Sequence, residues 1–97
     1  MNPAIVISAA DNVATALEPL DVGQTIQAGS ATVQVTETIP RGHKVALLAI
    51  RAGAVIVKYG SPIGHASSDI AAGAHVHTHN VSSDRGRGDL APAGVGR

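Results

Sequence analysis

Cysteine is absent from the 97 residues, which excludes disulfides and thiolate metal sites and leaves the redox compartment unmarked. Phe and Trp are also absent, and Tyr59 is the single residue of the Phe/Trp/Tyr set. A core of this composition must be packed from Ala, Val, Ile and Leu, whose small or branched side chains suit closely packed strands. The same absence removes the stacking platforms on which single-stranded nucleic acids are held. An excess of one charge is missing too. Seven basic and seven acidic residues cancel, leaving no electrostatic footprint for nucleic acid or an anionic membrane surface. No apolar run approaches the roughly 18 residues that span a bilayer, and the N-terminus shows no basic-then-apolar secretory pattern. These absences predict a cytoplasmic chain whose partners include neither nucleic acid nor membrane.

What is present is 44% hydrophobic residues and frequent turn signals. Turns recur roughly every 8–12 residues through the middle of the chain, which favours a compact clip or barrel of short strands over a βαβ fold. Strands are expected at residues 4–8, 22–27, 30–39, 43–50, 55–59 and 74–81, with an edge piece at 63–66. Residues 31–36 alternate with period two, as a half-buried strand does. Between the first two strands, Val13, Ala16 and Leu17 fall at i, i+3 and i+4 behind Asp11, a good N-cap, and ahead of Pro19. That pattern predicts one short helix over 11–18. No internal repeat is evident. The fold class expected is therefore mainly β with one short helix, occupying residues 1–81. Residues 82–97, rich in Gly, Ser, Arg and Pro, are too polar to offset their ordering entropy by burial and are expected as a tail. The Arg87-Gly88-Asp89 tripeptide within it is taken as coincidental.

The chemistry-bearing residues concentrate near the end of the domain. On a strand, residues i, i+2 and i+4 share one face, so His75, His77 and His79 would project together. Imidazole is the commonest protein ligand for divalent transition metals. Three donors along one strand rarely converge on a single ion, so two from this strand plus others from elsewhere is the favoured arrangement. The alternative is a polar strand face bonded to its neighbours. Lys58, ending an apolar strand, could pair with a substrate carboxylate or act as a desolvated base, although taken alone it reads first as an exposed strand-end lysine. His43, at a turn-to-strand junction beside Lys44, could join a site or merely cap the strand. His65 reads as a surface histidine. No Ser-His-Asp order, phosphate loop or carboxylate pair stands out.

Taken together, Asp11-Asn12-Val13-Ala14, Gly42-His43-Lys44, Val57-Lys58-Tyr59-Gly60, Pro62-Ile63-Gly64 and Val76-His77-Thr78-His79-Asn80 resemble the N-terminal domain of the altronate/galactarate dehydratases. Sulfolactate sulfo-lyase carries the same domain as a separate small subunit. The resemblance runs in order from about residue 8 to 81. It implies a SAF-type β-clip fold, with the catalytic bulk on a separate large chain as partner. It further implies a hydro-lyase converting a sugar acid to a 2-keto-3-deoxy acid with a divalent metal, iron first, manganese or another ion otherwise. Transferred onto this chain, His77 and His79 become metal ligands or, alternatively, the acid/base pair, and His75, just outside the shared motif, joins them as a neighbouring ligand. Lys58, Tyr59, His43 and Asn80 become the catalytic set, with Lys44 among the shared residues. The substrate could be altronate, galactarate or a sulfonated acid, and oligomerisation is left open. Two rival readings are a sugar-acid-binding module without turnover and a domain that only stabilises its partner.

Overall fold

A computed structural model describes residues 3–83. Among these residues the chain forms nine short strands and no helix. They are β1 (Ala4–Ile5), β2 (Val13–Ala16), β3 (Thr25–Ala28), β4 (Ala31–Gln34), β5 (Lys44–Ala46), β6 (Val55–Lys58), β7 (Ser61–Ala66), β8 (His75–Val76) and β9 (Val81–Ser82). A central sheet has the order β1-β2-β5-β8, flanked by the β3-β4 hairpin and by a three-stranded sheet, β6-β7-β9. Every pairing is antiparallel.

The expected mainly-β clip is therefore present, but the helix over 11–18 is not. Val13–Ala16 is β2, paired on one side with β1 and on the other with β5. The physical reason lies in its two faces. Ala14 and Ala16 enter one core, with Leu20, Ile26, Val35, Ile39 and Val45, while Val13 enters a second with Ala46, Ile56, Ile70 and Val76. A strand buried on both faces loses the apolar–polar alternation and cannot be told from a short helix by periodicity. Asp11 does cap, but it caps a loop. Its carboxylate accepts the amides of Gly60 (2.7 Å), Ile7 (3.2 Å) and Ser8 (3.3 Å). Burial pushes this carboxyl up, but amide bonds from Gly60, Ser8, Ile7 and Tyr59 outweigh burial and hold it below the usual carboxylate range. Asn12 continues the clamp, accepting from Val57 N and donating to Val55 O at 2.8 and 2.9 Å.

The structure also corrects the reading that the chain lacks a repeat. The Leu20–Ile39 bridge has a counterpart about thirty residues on in Ile50–Ile70. The bond from Gly23 N to Val35 O (2.8 Å) returns as Gly53 N to Ala66 O (2.7 Å), and Gly42 N to Ala16 O (2.9 Å) as Gly73 N to Ala46 O (2.8 Å). Only a few side chains match between the halves, among them Ile26 with Ile56 and Val45 with Val76, so the sequence hides what the backbone bonds reveal. A bulge in β7, where the register shifts opposite Ile56 and Val57, adds one residue to the second half. The two halves place their turns at equivalent points. The turns at 40–43 and 71–74 end at His43 and Ala74 with bonds of 3.0 Å each and carry Gly42 (φ 85°) and Gly73 (φ 86°) third. That position of a type II turn requires a positive φ. These two turns launch β5 and β8 side by side, which sets the site.

Of the expected tail, Ser82 lies in β9 against His65, and residues 84–97 lie outside the described residues, as does the Arg87-Gly88-Asp89 tripeptide.

Candidate metal centre

Strands β5 and β8 pair with Val45 opposite His75 and Lys44 opposite Val76. Continuing that register by one step sets His43 against His77. The rings obey it: His43 and His77 stack with centroids 3.9 Å apart and planes 16° from parallel. His75 stacks on both, at 5.1 Å from His43 and 5.6 Å from His77. Nδ1 of His43 lies 2.8 Å from Nε2 of His75. One donor atom from each of His43, His75 and His77 lies within 4.8 Å of the other two.

This set differs in composition from the run of alternate histidines in the sequence. Strand β8 ends at Val76, and a turn follows in which Asn80 N donates to His77 O (3.1 Å). The turn leaves His79 exposed, its ring 5.1 Å from His75 and tilted by 38°. The structure thus brings His43 to His75 and His77 and places His79 at their margin. Asn80 is buried behind the histidines and faces the backbone. It accepts from His77 N at 3.0 Å and donates to His75 O at 2.9 Å. It holds the turn that presents the imidazoles.

Lys58 and Tyr59 lie on the β6–β7 hairpin. Lys58 pairs with Ser61, so Tyr59 and Gly60 are the two turn residues, both at positive φ (54° and 78°). A two-residue type I′ hairpin demands that geometry, and the Lys58 ammonium sits 5.0 Å from the Tyr59 ring centroid. Glu37 escaped the sequence reading. Its carboxylate accepts from His75 N at 3.3 Å, across a separation for which no local pattern exists.

The electrostatics favour neutral rings at His75 and His77. Burial lowers the pKa of His75, and His43, His79 and His77 add to it, against a smaller opposing pull from Glu37. Desolvation also lowers His77, followed by His43, Lys44 and His79. A metal ligand must offer an unprotonated nitrogen, and the lowered pKa values of His75 and His77 favour that donor form. Two imidazoles on one ion, each at about 2.0–2.1 Å, hold their nitrogens roughly 3 Å apart. The 2.8 Å contact needs only slight opening to meet that spacing, so the donor set fits a divalent transition ion. The contact also needs one proton in the absence of a cation, because two lone pairs cannot face each other at that distance.

A small antiparallel clip that carries converging imidazoles on the rim of its central sheet is a β domain built to present donor groups. The family model described as the altronate/galactarate dehydratase SAF domain matches residues 2–84, and the chain belongs to that family. It is 49% identical over 80 residues to altronate dehydratase of Escherichia coli (strain K12), a match covering 82% of this chain and 16% of that protein. To altronate dehydratase of Bacillus subtilis (strain 168) it is 44% identical over 84 residues, covering 87% and 17%. It is also 51% identical over 47 residues to (2R)-sulfolactate sulfo-lyase subunit alpha of Paracoccus pantotrophus, covering 48% of this chain and 70% of that one. The chain thus spans about one-sixth of the altronate dehydratases it matches. Among the described residues, no helix is long and apolar enough to cross a membrane.

Proposed function

We propose that this domain acts in the cytoplasm as the small subunit of a metal-dependent sugar-acid dehydratase of the altronate/galactarate type, completed by a separate large chain. The observation that carries the reading is the convergence of His43, His75 and His77, in a domain similar to part of two altronate dehydratases and to a protein named as a lyase subunit. Those three imidazoles would hold the divalent ion, for which the resemblance points to iron. When bound, such an ion polarises the carboxylate and α-hydroxyl of a hydroxy acid and acidifies its α-proton.

The chain's own residues supply the rest of this half-site. Asn80 fixes the orientation of His75 and His77 through their backbone. Glu37 holds the amide of His75 and places a negative charge beside the cluster, which favours a cation there. His79, exposed next to His75, is positioned to exchange a proton with a substrate held at the rim. His43, His75 and His77 are only half-buried and His79 is exposed, so the walls around the imidazoles and most of the specificity would come from the larger chain.

Reconstitution with a family large chain tests the reading. His75→Ala and His77→Ala should each abolish dehydration of altronate or galactarate while the two chains still assemble. Normal turnover in both variants would leave a structural role only. Weakened substrate binding with kcat kept would indicate a binding module. In the chain alone, cobalt(II) should bind one to one with a visible d–d spectrum that His43→Ala, His75→Ala and His77→Ala each remove.

A further inference from the structure

No charged residue occurs between Asp21 and Glu37, the stretch that forms the β3–β4 hairpin. Ile26, Ala28, Val33 and Val35 turn inward to the core shared with Leu20 and Val45. The alternate residues make the outer face, with Thr25 opposite Gln34 and Gln27 opposite Thr32, all four exposed and uncharged. Among the described residues the hairpin is a two-stranded sheet, so each strand keeps one unpaired edge, and no charge, proline or bulge guards it.

The hairpin joins two further features. At its tip, Ala28, Gly29 and Ala31 line an apolar groove of about 440 Å³, whose other walls include Ile7 and Leu48. These two side chains are 64% and 52% exposed. Bonds hold them there. The Asp11 carboxylate accepts the amides of Ile7 and Ser8, and Leu47 N donates to Asn12 O at 2.9 Å. Large apolar side chains kept in water by a bonded loop leave hydrophobic free energy unrealised until a partner covers them. At the base of the hairpin, Thr36 N donates to Gly73 O at 2.9 Å and the Glu37 carboxylate accepts from His75 N at 3.3 Å, so the imidazoles adjoin the exit of β4. Val45 enters the core under the hairpin, His75 lies opposite Val45 in register, and Leu47 lines the groove. Residues of one row, or two apart on a strand, share a face. Groove, hairpin and imidazoles therefore occupy one side of the central sheet.

We propose that this side, from Ile7 and Leu48 across the outer face of β3–β4 to the imidazoles, is the surface on which the larger chain docks, an assignment that rests on the two-chain reading above. The matches to the altronate dehydratases cover only 16% and 17% of their length, and the sulfolactate relative is by name a subunit. A chain that walls in the half-buried imidazoles must lie against the base of this hairpin. The surface fixes the chemistry of what meets it. An apolar side chain enters the groove, and neutral donors and acceptors meet Thr25, Gln27, Thr32 and Gln34, because the centre of a stable interface is depleted in charge.

Assembly of the 97-residue chain with a family large chain is measured by analytical ultracentrifugation, and hydrogen exchange is followed in the free and assembled states. Residues 22–36 should exchange more slowly in the complex. Ile7→Ser, Leu48→Ser and Thr32→Lys should each weaken assembly at least tenfold. All three replace exposed side chains, so the free variants should melt within about 4 °C of the parent, and Thr32→Lys serves should an apolar variant not fold. Val55→Lys, on the hairpin over the other core, should assemble as the parent does. Cobalt(II) binding by the free variants should equal the parent's, which separates a lost interface from a lost metal site. Undiminished assembly of all three variants, or no added protection over 22–36, would overturn the proposal and leave the two-chain reading standing. Failure of the parent chain itself to assemble would overturn both. Self-association of the free chain that Thr32→Lys disperses would assign the face to a second copy and overturn the proposal as well.

Discussion

Replacing Asn80 by alanine should separate the scaffold of the site from its donors. Asn80 is 7% exposed and makes two side-chain bonds, accepting from His77 N at 3.0 Å and donating to His75 O at 2.9 Å. Each neutral bond is worth about 1 kcal/mol net, and a partner left unpaired away from water costs about 1–3 kcal/mol. His75 and His77 are only half-buried, so water restores part of the loss and the expected total is about 2–3 kcal/mol. For a domain of this size that lowers Tm by roughly 10–20 °C. The same change frees the turn that orients both imidazoles. Cobalt(II) affinity, measured well below the transition, should therefore fall about 10–100-fold although no ligand has been removed, the usual scale for losing a group that orients a ligand. Asn80→Asp keeps the acceptor for His77 N but turns a carboxylate toward the His75 carbonyl, so it should remain destabilised at neutral pH. Thermal melting and cobalt titration of the two variants measure both effects. A Tm change within about 3 °C for Asn80→Ala, with cobalt affinity unchanged, would refute the argument that this side chain holds the site.

Stability should depend on acid in two separate windows. His75 and His77 have lowered pKa values, so the unfolded chain binds protons first as pH falls below the ordinary 6.5, and stability should decline from there. His75→Asn should flatten that first decline in urea midpoints measured against pH. Asp11, also lowered, should contribute stability that is present above the ordinary 3.8 and lost as pH falls through its folded value, a second decline that Asp11→Asn removes. Glycines of one turn type should differ by their surroundings. A Cβ on Gly42 meets nothing within 4 Å, whereas one on Gly73 would overlap the Gln34 carbonyl, and both residues have positive φ. Gly42→Ala should cost about 1–2 kcal/mol from backbone strain alone, and Gly73→Ala distinctly more. Equal midpoints in denaturant would show that the crowding against Gln34 is immaterial.

The amino-acid sequence by itself determined that the domain is a clip of short strands, because turn chemistry and branched apolar runs are local properties. It also singled out His43, Lys58, His75, His77 and His79 as candidates for chemistry, since imidazole and amine side chains stand out in a chain with little other functional variety, and the family resemblance added Tyr59 and Asn80. It misled over residues 11–18, where burial on both faces erased the strand alternation and left a helix-like pattern. It hid the doubled backbone, because hydrogen bonds between peptide groups repeat without requiring repeated side chains. Only the tertiary structure decided which histidines meet. Residues 43 and 77 are joined by the pairing of β5 with β8, and His79 is set aside by a turn whose direction depends on Asn80. Glu37 beside His75, and Lys44 opposite Thr15, likewise arise from tertiary pairing, which is fixed by how two cores pack on either side of one sheet.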